Sequence, residues 1–270
     1  MNRIDETFRR LRKEKKKAFI AYITAGDPTF PVSEKIALTL AETGTDIIEL
    51  GIPFSDPLAD GPTIQKAVQR SLKNGCTVKK VFTMVKSLRR KIQTPLVFMT
   101  YYNIVYNYGL EKFVKDAKKS GADGIIIPDL PMEESGEFKS IADAEDFCLI
   151  MLTAPTTPAE RFRKIASKSR GFIYHVSLTG VTGTRDAVNT GLAKNVQKLK
   201  KLTKKPICVG FGVSGAEQAK KISRMCDGVI VGSAIIKIIE KNLNRKKDIA
   251  GKIKVFSKTL AKAVHGEERS

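Results

Sequence analysis

Eight short apolar segments recur along this 270-residue chain, and amphipathic segments with helical periodicity separate them. The apolar segments are rich in Ile, Val and Phe and do not alternate with polar residues, which is typical of strands buried on both faces of a parallel sheet. They span residues 18–24, 46–50, 95–101, 124–128, 147–152, 171–177, 206–210 and 228–231. Strict alternation through eight strands predicts an α/β fold, the (β/α)8 or TIM barrel.

A doubly wound open sheet is the alternative fold, but no GxGxxG motif follows the first strand to favour it. The predicted helices span residues 32–42, 63–72, 78–91, 110–120, 133–144, 158–169, 193–202, 216–225, 234–242 and 248–263. An extra N-terminal helix is predicted from the spacing of Ile4, Phe8 and Leu11, with Asn2 as its cap, and we expect it to close the bottom of the barrel. Because no linker or low-complexity segment interrupts the pattern, residues 1–270 are predicted to form a single domain.

The formal net charge is +20, from 48 basic and 28 acidic residues. The basic residues are spread over several predicted helices, and no aromatic residues interleave with them as a nucleic-acid stacking platform would require. We therefore interpret them as solvated helix surfaces and expect only non-specific adhesion to polyanions at low salt, with no specific nucleic-acid partner.

The cysteines and the N-terminus bear on the location of the protein. Cys76, Cys148, Cys208 and Cys226 are far apart and form no CxxC motif, so reduced, buried thiols are expected. No apolar run is long enough to span a membrane, and the charged N-terminus does not resemble a signal peptide. These features predict a cytoplasmic protein, and two histidines in the whole chain make a zinc site improbable.

Two carboxylates mark the most informative segment, residues 49–65 (ELGIPFSDPLADGPTIQ). Glu49 ends an apolar strand and shares its face with Ile47, so it is expected inside the barrel with a pKa raised by burial. Asp60 follows in a loop rich in Pro and Gly, where it should stay ionised and accept a hydrogen bond from a substrate. Carboxylates in two different environments suit acid–base chemistry, although Asp60 as an N-cap of the helix starting at Pro62 is an equally open interpretation.

Glycines follow three consecutive predicted strands and indicate a phosphate site. Gly183, Gly212 and Gly232 would let backbone N–H groups approach an anion, and Ser233 lies at the start of a helix whose N-terminus favours negative charge. In this fold such sites often lie after strands seven and eight. The alternative is that these glycines serve only to turn the chain.

The loop of residues 178–191 is predicted to be a lid hinged at its glycines, the alternative being an ordinary surface loop. No lysine occurs in the eight strands, so a strand-borne Schiff base is not expected. His175 alternates with inward-facing Tyr174 and is therefore interpreted as a histidine packed against the helices.

The motifs resemble those of the tryptophan synthase alpha chain family. The likeness runs from about residue 4 to 258, is most specific at residues 49–65, and includes residues 18–28 (AFIAYITAGDP), 180–183 (GVTG), 210–212 (GFG) and 232–240 (GSAIIKIIE). It implies a lyase that cleaves indole-3-glycerol phosphate by a retro-aldol reaction to indole and glyceraldehyde 3-phosphate, in tryptophan biosynthesis. It also implies a beta-chain partner in an alpha2–beta2 heterotetramer, with pyridoxal phosphate on that partner and no cofactor on this chain.

The resemblance also implies roles for individual residues. Glu49 corresponds to the catalytic acid and base, and Asp60 to the carboxylate that binds the indole N–H. The phosphate-binding positions are Gly183, Gly212, Gly232 and Ser233. Positions that line the pocket or its lid are Tyr22, Tyr101, Tyr174, Thr182 and Phe211.

The sequence departs from the family in its strongly basic charge, in Leu178 and in Tyr22, where many members have Phe. None of these departures touches the two carboxylates. Two alternatives stay open: a non-catalytic subunit that activates a partner, and a free-standing relative that acts on another phosphate of the same pathway.

Overall fold

The computed structural model describes residues 1–176, 185–210 and 212–266. Its eight strands each pair in parallel with the next, and the last pairs with the first, so the sheet closes into a barrel without edges. This confirms the predicted (β/α)8 fold and excludes the open-sheet alternative. The strands are β1 Ala18–Thr24, β2 Ile47–Gly51, β3 Leu96–Met99, β4 Gly124–Ile126, β5 Cys148–Thr153, β6 Ile173–Val176, β7 Ile207–Gly210 and β8 Gly228–Val231.

Helices surround the barrel. They are α1 Arg3–Lys13, α2 Phe30–Glu42, α3 Pro62–Lys73, α4 Val78–Arg89, α5 Tyr102–Tyr108, α6 Leu110–Ser120, α7 Gly136–Ala144, α8 Ala159–Lys168, α9 Arg185–Lys200, α10 Ala216–Ser223, α11 Ser233–Glu240 and α12 Ile249–His265, with a 3-10 turn at Leu243–Asp248. Two predictions were wrong: the seven-residue α5 was missed because it is too short to show a helical period, and α9 begins at Arg185 rather than at residue 193. Gly191, predicted to be a hinge, lies within α9. Among the described residues, every helix is too short or too polar to cross a lipid bilayer.

The apolar core has two layers, as strands buried on both faces require. An inner cluster fills the barrel, and a larger outer cluster lies between the strands and the helices. Along β5, Ile150 belongs to the inner cluster, whereas Leu149 and Met151 belong to the outer one. The same alternation therefore decides which strand residues face the barrel interior.

Helix α1 closes the bottom of the barrel as predicted. Ile4, Phe8 and Leu11 belong to the inner cluster, and the ring of Phe8 lies 5.8 Å from that of Phe172. The side chain of Asn2 accepts a hydrogen bond of 3.0 Å from the backbone nitrogen of Ile4, which confirms it as the cap. With one end closed, a site within the barrel must open at the carboxyl ends of the strands.

The single-domain boundary of residues 1–270 stays a prediction. The predicted buried cysteines are confirmed: all four are buried and carry free thiols.

Candidate active site at the carboxyl ends of the strands

A cavity of about 320 Å³ opens at the carboxyl ends of the strands. Its walls come from strand ends and from the loops that follow them. The lining residues are Tyr22, Glu49, Ala59, Asp60, Gly61, Ile64, Met99, Pro128, Leu152, Tyr174, Val176, Gly210, Gly212, Val213, Ile230, Gly232 and Ser233. The cavity thus combines an apolar interior with two carboxylates and several glycines, which is the composition of a small-molecule site.

Glu49 lies at the bottom of this cavity and is fully buried. It stands beside Tyr22 in the register of β1 and β2, with Ile47 below it in the inner cluster. Neither carboxyl oxygen has a hydrogen-bond partner among the described residues. Burial without a partner disfavours the charged form and raises the pKa of Glu49 to about 8, in the predicted direction. Such a carboxyl can both give and take a proton near neutral pH.

Asp60 borders the cavity in the loop between β2 and α3. Its Oδ2 accepts a hydrogen bond of 3.3 Å from the hydroxyl of Tyr101. The N-cap interpretation is wrong, because Gly61 occupies the cap position and α3 begins at Pro62 without a side-chain cap. Burial raises the pKa of Asp60 to about 6, and the bond from Tyr101 opposes that rise. Asp60 is therefore still mostly ionised at pH 7, as expected, but its pKa lies closer to 7 than it would in an exposed loop.

Two tyrosines, Tyr22 from β1 and Tyr174 from β6, line the cavity. An added Cβ at Gly51 would lie 2.2 Å from the hydroxyl of Tyr22, and one at Gly210 would lie 2.6 Å from that of Tyr174. Each ring thus lies over a glycine that leaves room for it. Burial raises the pKa of both phenols, so both stay neutral. Tyr101 is not among the described residues that line the cavity and acts behind Asp60 instead.

The far end of the cavity is suited to an anion. Gly232 precedes helix α11, whose first residue, Ser233, also lines the cavity. The first N–H groups of a helix lack intrahelical acceptors, and the helix dipole favours negative charge there. Gly212 follows the neighbouring strand β7 and has open space where a Cβ would be, so its backbone is accessible to a ligand.

Some predicted residues cannot be placed. Thr182, Gly183 and Phe211 lie outside the described residues, as does the first half of the predicted lid, residues 178–184. Their assigned roles remain predictions.

The structure also shows lining residues that the sequence did not identify. Met99, Leu152, Val176 and Ile230 supply much of the apolar wall, and their only signal in the sequence is that they lie near the ends of strands. His175 is buried outside the cavity lining, in agreement with its interpretation as a packed residue. No cluster of three His, Cys, Asp or Glu side chains suited to a metal occurs among the described residues.

Residues 8–265 match the family model of the tryptophan synthase alpha chain. The chain is similar to the tryptophan synthase alpha chain of Geotalea daltonii, at 49% identity over 89% of this chain and 91% of the relative. That of Desulfosudis oleivorans is also 49% identical, over 93% and 94% of the two chains.

Solved structures agree with these sequence matches. The alpha subunit from Legionella pneumophila superposes with a TM-score of 0.92 at 36% identity, over 98% of this chain and 99% of that one. A chain of the tryptophan synthase complex from Pyrococcus furiosus superposes with a TM-score of 0.82 at 39% identity, over 91% and 98%.

Proposed function

The chain belongs to the tryptophan synthase alpha chain family, and we propose that Glu49 and Asp60 together carry out its reaction. The protein is a lyase that cleaves indole-3-glycerol phosphate to indole and glyceraldehyde 3-phosphate, the alpha reaction of tryptophan biosynthesis. The observation that carries the assignment of residues is the unpartnered, buried carboxyl of Glu49, which shares one cavity with Asp60.

The substrate fits the cavity in one direction. Its phosphate lies against Gly212, Gly232 and the start of α11, where N–H groups and the helix dipole stabilise negative charge. Its indole ring lies in the apolar part of the cavity near Asp60, which accepts a hydrogen bond from the ring N–H. The glycerol carbons then pass over Glu49, between the two ends.

The reaction needs one proton given and one proton taken back. Glu49, protonated at the outset because of its raised pKa, delivers its proton to C3 of the indole ring. The positive charge that develops on the ring nitrogen is stabilised by ionised Asp60. The resulting carboxylate of Glu49 removes the proton of the hydroxyl on the carbon attached to C3, and the bond from that carbon to C3 breaks. Its electron pair returns to the ring, so that indole and an aldehyde form and Glu49 is protonated again.

These reaction steps need no cofactor on this chain, because the protonated indole ring is itself the electron sink. We propose that pyridoxal phosphate belongs to the beta partner alone. The four buried free thiols support a reducing compartment, and we propose the cytoplasm as the location.

We propose a beta chain as the partner, in an alpha2–beta2 assembly. Two large apolar side chains near the mouth of the cavity support such a contact: Leu58 is 92% exposed in the loop that carries Asp60, and Tyr106 in α5 is 65% exposed. Of the four large apolar side chains exposed among the described residues, these two follow strands β2 and β3 at the end where the cavity opens, so we place the contact with the partner there.

The test is release of indole from indole-3-glycerol phosphate by the isolated chain and by the chain with a beta chain added. We expect turnover that rises when the partner is present, and a smaller rise for Leu58→Glu than for the wild type. No release in either case would contradict the proposed reaction, and unchanged activation of Leu58→Glu would contradict this contact surface.

A further inference from the structure

A second cavity, of about 230 Å³, lies on the outer side of the barrel wall beside β5 and α8. Leu149, Met151 and Thr153 alternate along β5 with the residues that face the barrel interior, so their side chains face this outer space. Ile165 lines it from α8, and Met132 from the loop that follows β4. This outer cavity is therefore separate from the active-site cavity within the barrel mouth.

The two cavities are separated by a thin wall. Pro128, Leu152 and Val176 line both of them. Leu152 packs against the inner cluster, so its side chain belongs to the active-site face of this wall. A molecule in the outer cavity would lie directly behind residues that touch the substrate.

Within its apolar walls the outer cavity presents one buried hydroxyl, that of Thr153, which is only 3% exposed. Its Oγ1 lies 3.0 Å from Nδ1 of His175. Burial lowers the pKa of His175 to about 4, so the ring is neutral at pH 7. In the tautomer with Nδ1 unprotonated, Thr153 donates to that nitrogen, and its oxygen lone pairs can accept a hydrogen bond from a ligand.

The mouth of the outer cavity carries paired rather than free charge. Pro131 and Arg161 are its exposed lining residues. The guanidinium of Arg161 donates two hydrogen bonds, of 2.5 and 2.9 Å, to the carboxylate of Glu133. An ion pair at the opening and an apolar interior favour a neutral ligand over a charged one.

We propose that the outer cavity is a second binding site, for a small neutral aromatic molecule with one N–H donor, and that indole is its ligand. A dry cavity of about 150 Å³ lined by Leu, Ile and Phe is known to accept benzene, so a somewhat larger one suits a bicyclic ring. The choice of indole rests on the proposed function, because indole forms on the other face of the wall made by Pro128, Leu152 and Val176. The N–H of the ring would donate to Thr153.

Indole binding can be followed by the fluorescence of indole itself, because the chain contains no tryptophan. We expect the wild-type chain to bind two equivalents of indole. A non-cleavable analogue of indole-3-glycerol phosphate should displace one of them, at the active site, and leave the other bound.

Ala154→Leu fills the outer cavity, since Ala154 lines it, and should abolish only the equivalent that the analogue does not displace. Ala159→Leu is the matched control, because Ala159 is exposed at the start of α8, five residues after Ala154, and lines neither cavity. Thr153→Val should weaken the binding of indole in the outer cavity about fivefold, which corresponds to the loss of one neutral hydrogen bond. Thr153→Ser keeps the hydroxyl and should retain the wild-type affinity.

A single equivalent that the analogue displaces completely would overturn this proposal and leave the proposed function intact. A second equivalent that persists in Ala154→Leu would also overturn it, because the ligand would then bind elsewhere. Absence of turnover, together with an equivalent that Ala154→Leu removes, would support the outer site and contradict the proposed function.

Discussion

The hydroxyl of Tyr101 donates a hydrogen bond of 3.3 Å to Oδ2 of Asp60 and accepts one of 2.9 Å from the backbone nitrogen of Ala59. Its ring packs against Phe54, with 5.3 Å between the ring centroids. One side chain from the end of β3 thus holds the loop after β2 at three places. Tyr101 therefore positions the carboxylate of Asp60 relative to the substrate.

Tyr101→Phe removes both hydrogen bonds and keeps the ring. Because the bond from Tyr101 lowers the pKa of Asp60, that pKa should rise above its present value of about 6. The acidic limb of the profile of kcat/KM against pH should move to higher pH, with a loss in kcat/KM of about tenfold at pH 7. Tyr106→Phe, on an exposed tyrosine of α5, is the control and should leave the acidic limb unchanged.

The wild-type enzyme should show a bell-shaped profile of kcat/KM against pH. Activity should rise through pH 6 as Asp60 ionises and fall through pH 8 as Glu49 loses the proton that it must donate. In Asp60→Asn the acidic limb should disappear while the residual activity still falls above pH 8. A profile that stays flat between pH 5 and pH 9 would contradict both assignments.

A separate prediction concerns the proposed phosphate site at Gly212, Gly232 and the start of α11. A Cβ at Gly212 meets no atom within 4 Å, so Gly212→Ala should fold normally but hinder the approach of a phosphate to the backbone. We expect KM to rise about tenfold with little change in thermal stability. Gly215→Ala is the matched control, because a Cβ there is equally free of contacts and Gly215 does not line the cavity. Equal KM values for the two variants would remove Gly212 from the phosphate site.

Burial of Glu49 has a cost in stability that depends on pH. The pKa of Glu49 is about 8 in the folded chain and 4.5 for an unperturbed glutamate, so the folded state holds the proton more tightly. The contribution of Glu49 to the free energy of unfolding of the wild type is therefore at its maximum below pH 4.5 and declines as the pH rises to 8. Relative to the wild type, Glu49→Gln should gain stability over that range, on the order of 5 kcal/mol at most. Urea unfolding of both proteins at pH 5 and pH 9 measures the difference, and a gain that does not grow with pH would contradict the raised pKa.

The parts of the fold that follow from local pattern were predictable. Continuous apolar runs located all eight strands, and the alternation of Ile47 with Glu49 placed the carboxyl inside the barrel. The glycines at 212 and 232 were recognisable because they directly follow strands, where this fold builds its sites.

The remainder depends on contacts between distant segments. The bond between Tyr101 and Asp60 joins residues 41 positions apart, and no periodicity reveals it. The same holds for the outer cavity, which arises only because α8 and the loop after β4 leave space beside β5. The burial that raises the pKa of Asp60 to about 6 is likewise not visible in a sequence rich in Pro and Gly.

The central claim is that Glu49 transfers the protons that cleave indole-3-glycerol phosphate. The most direct measurement is indole release by the wild type and Glu49→Gln side by side, with binding of a non-cleavable substrate analogue measured on both and exposed Glu134→Gln as a control. We predict that Glu49→Gln binds the analogue but loses turnover about a thousandfold, while Glu134→Gln matches the wild type. A Glu49→Gln enzyme that binds the analogue and keeps most of its rate would contradict the account.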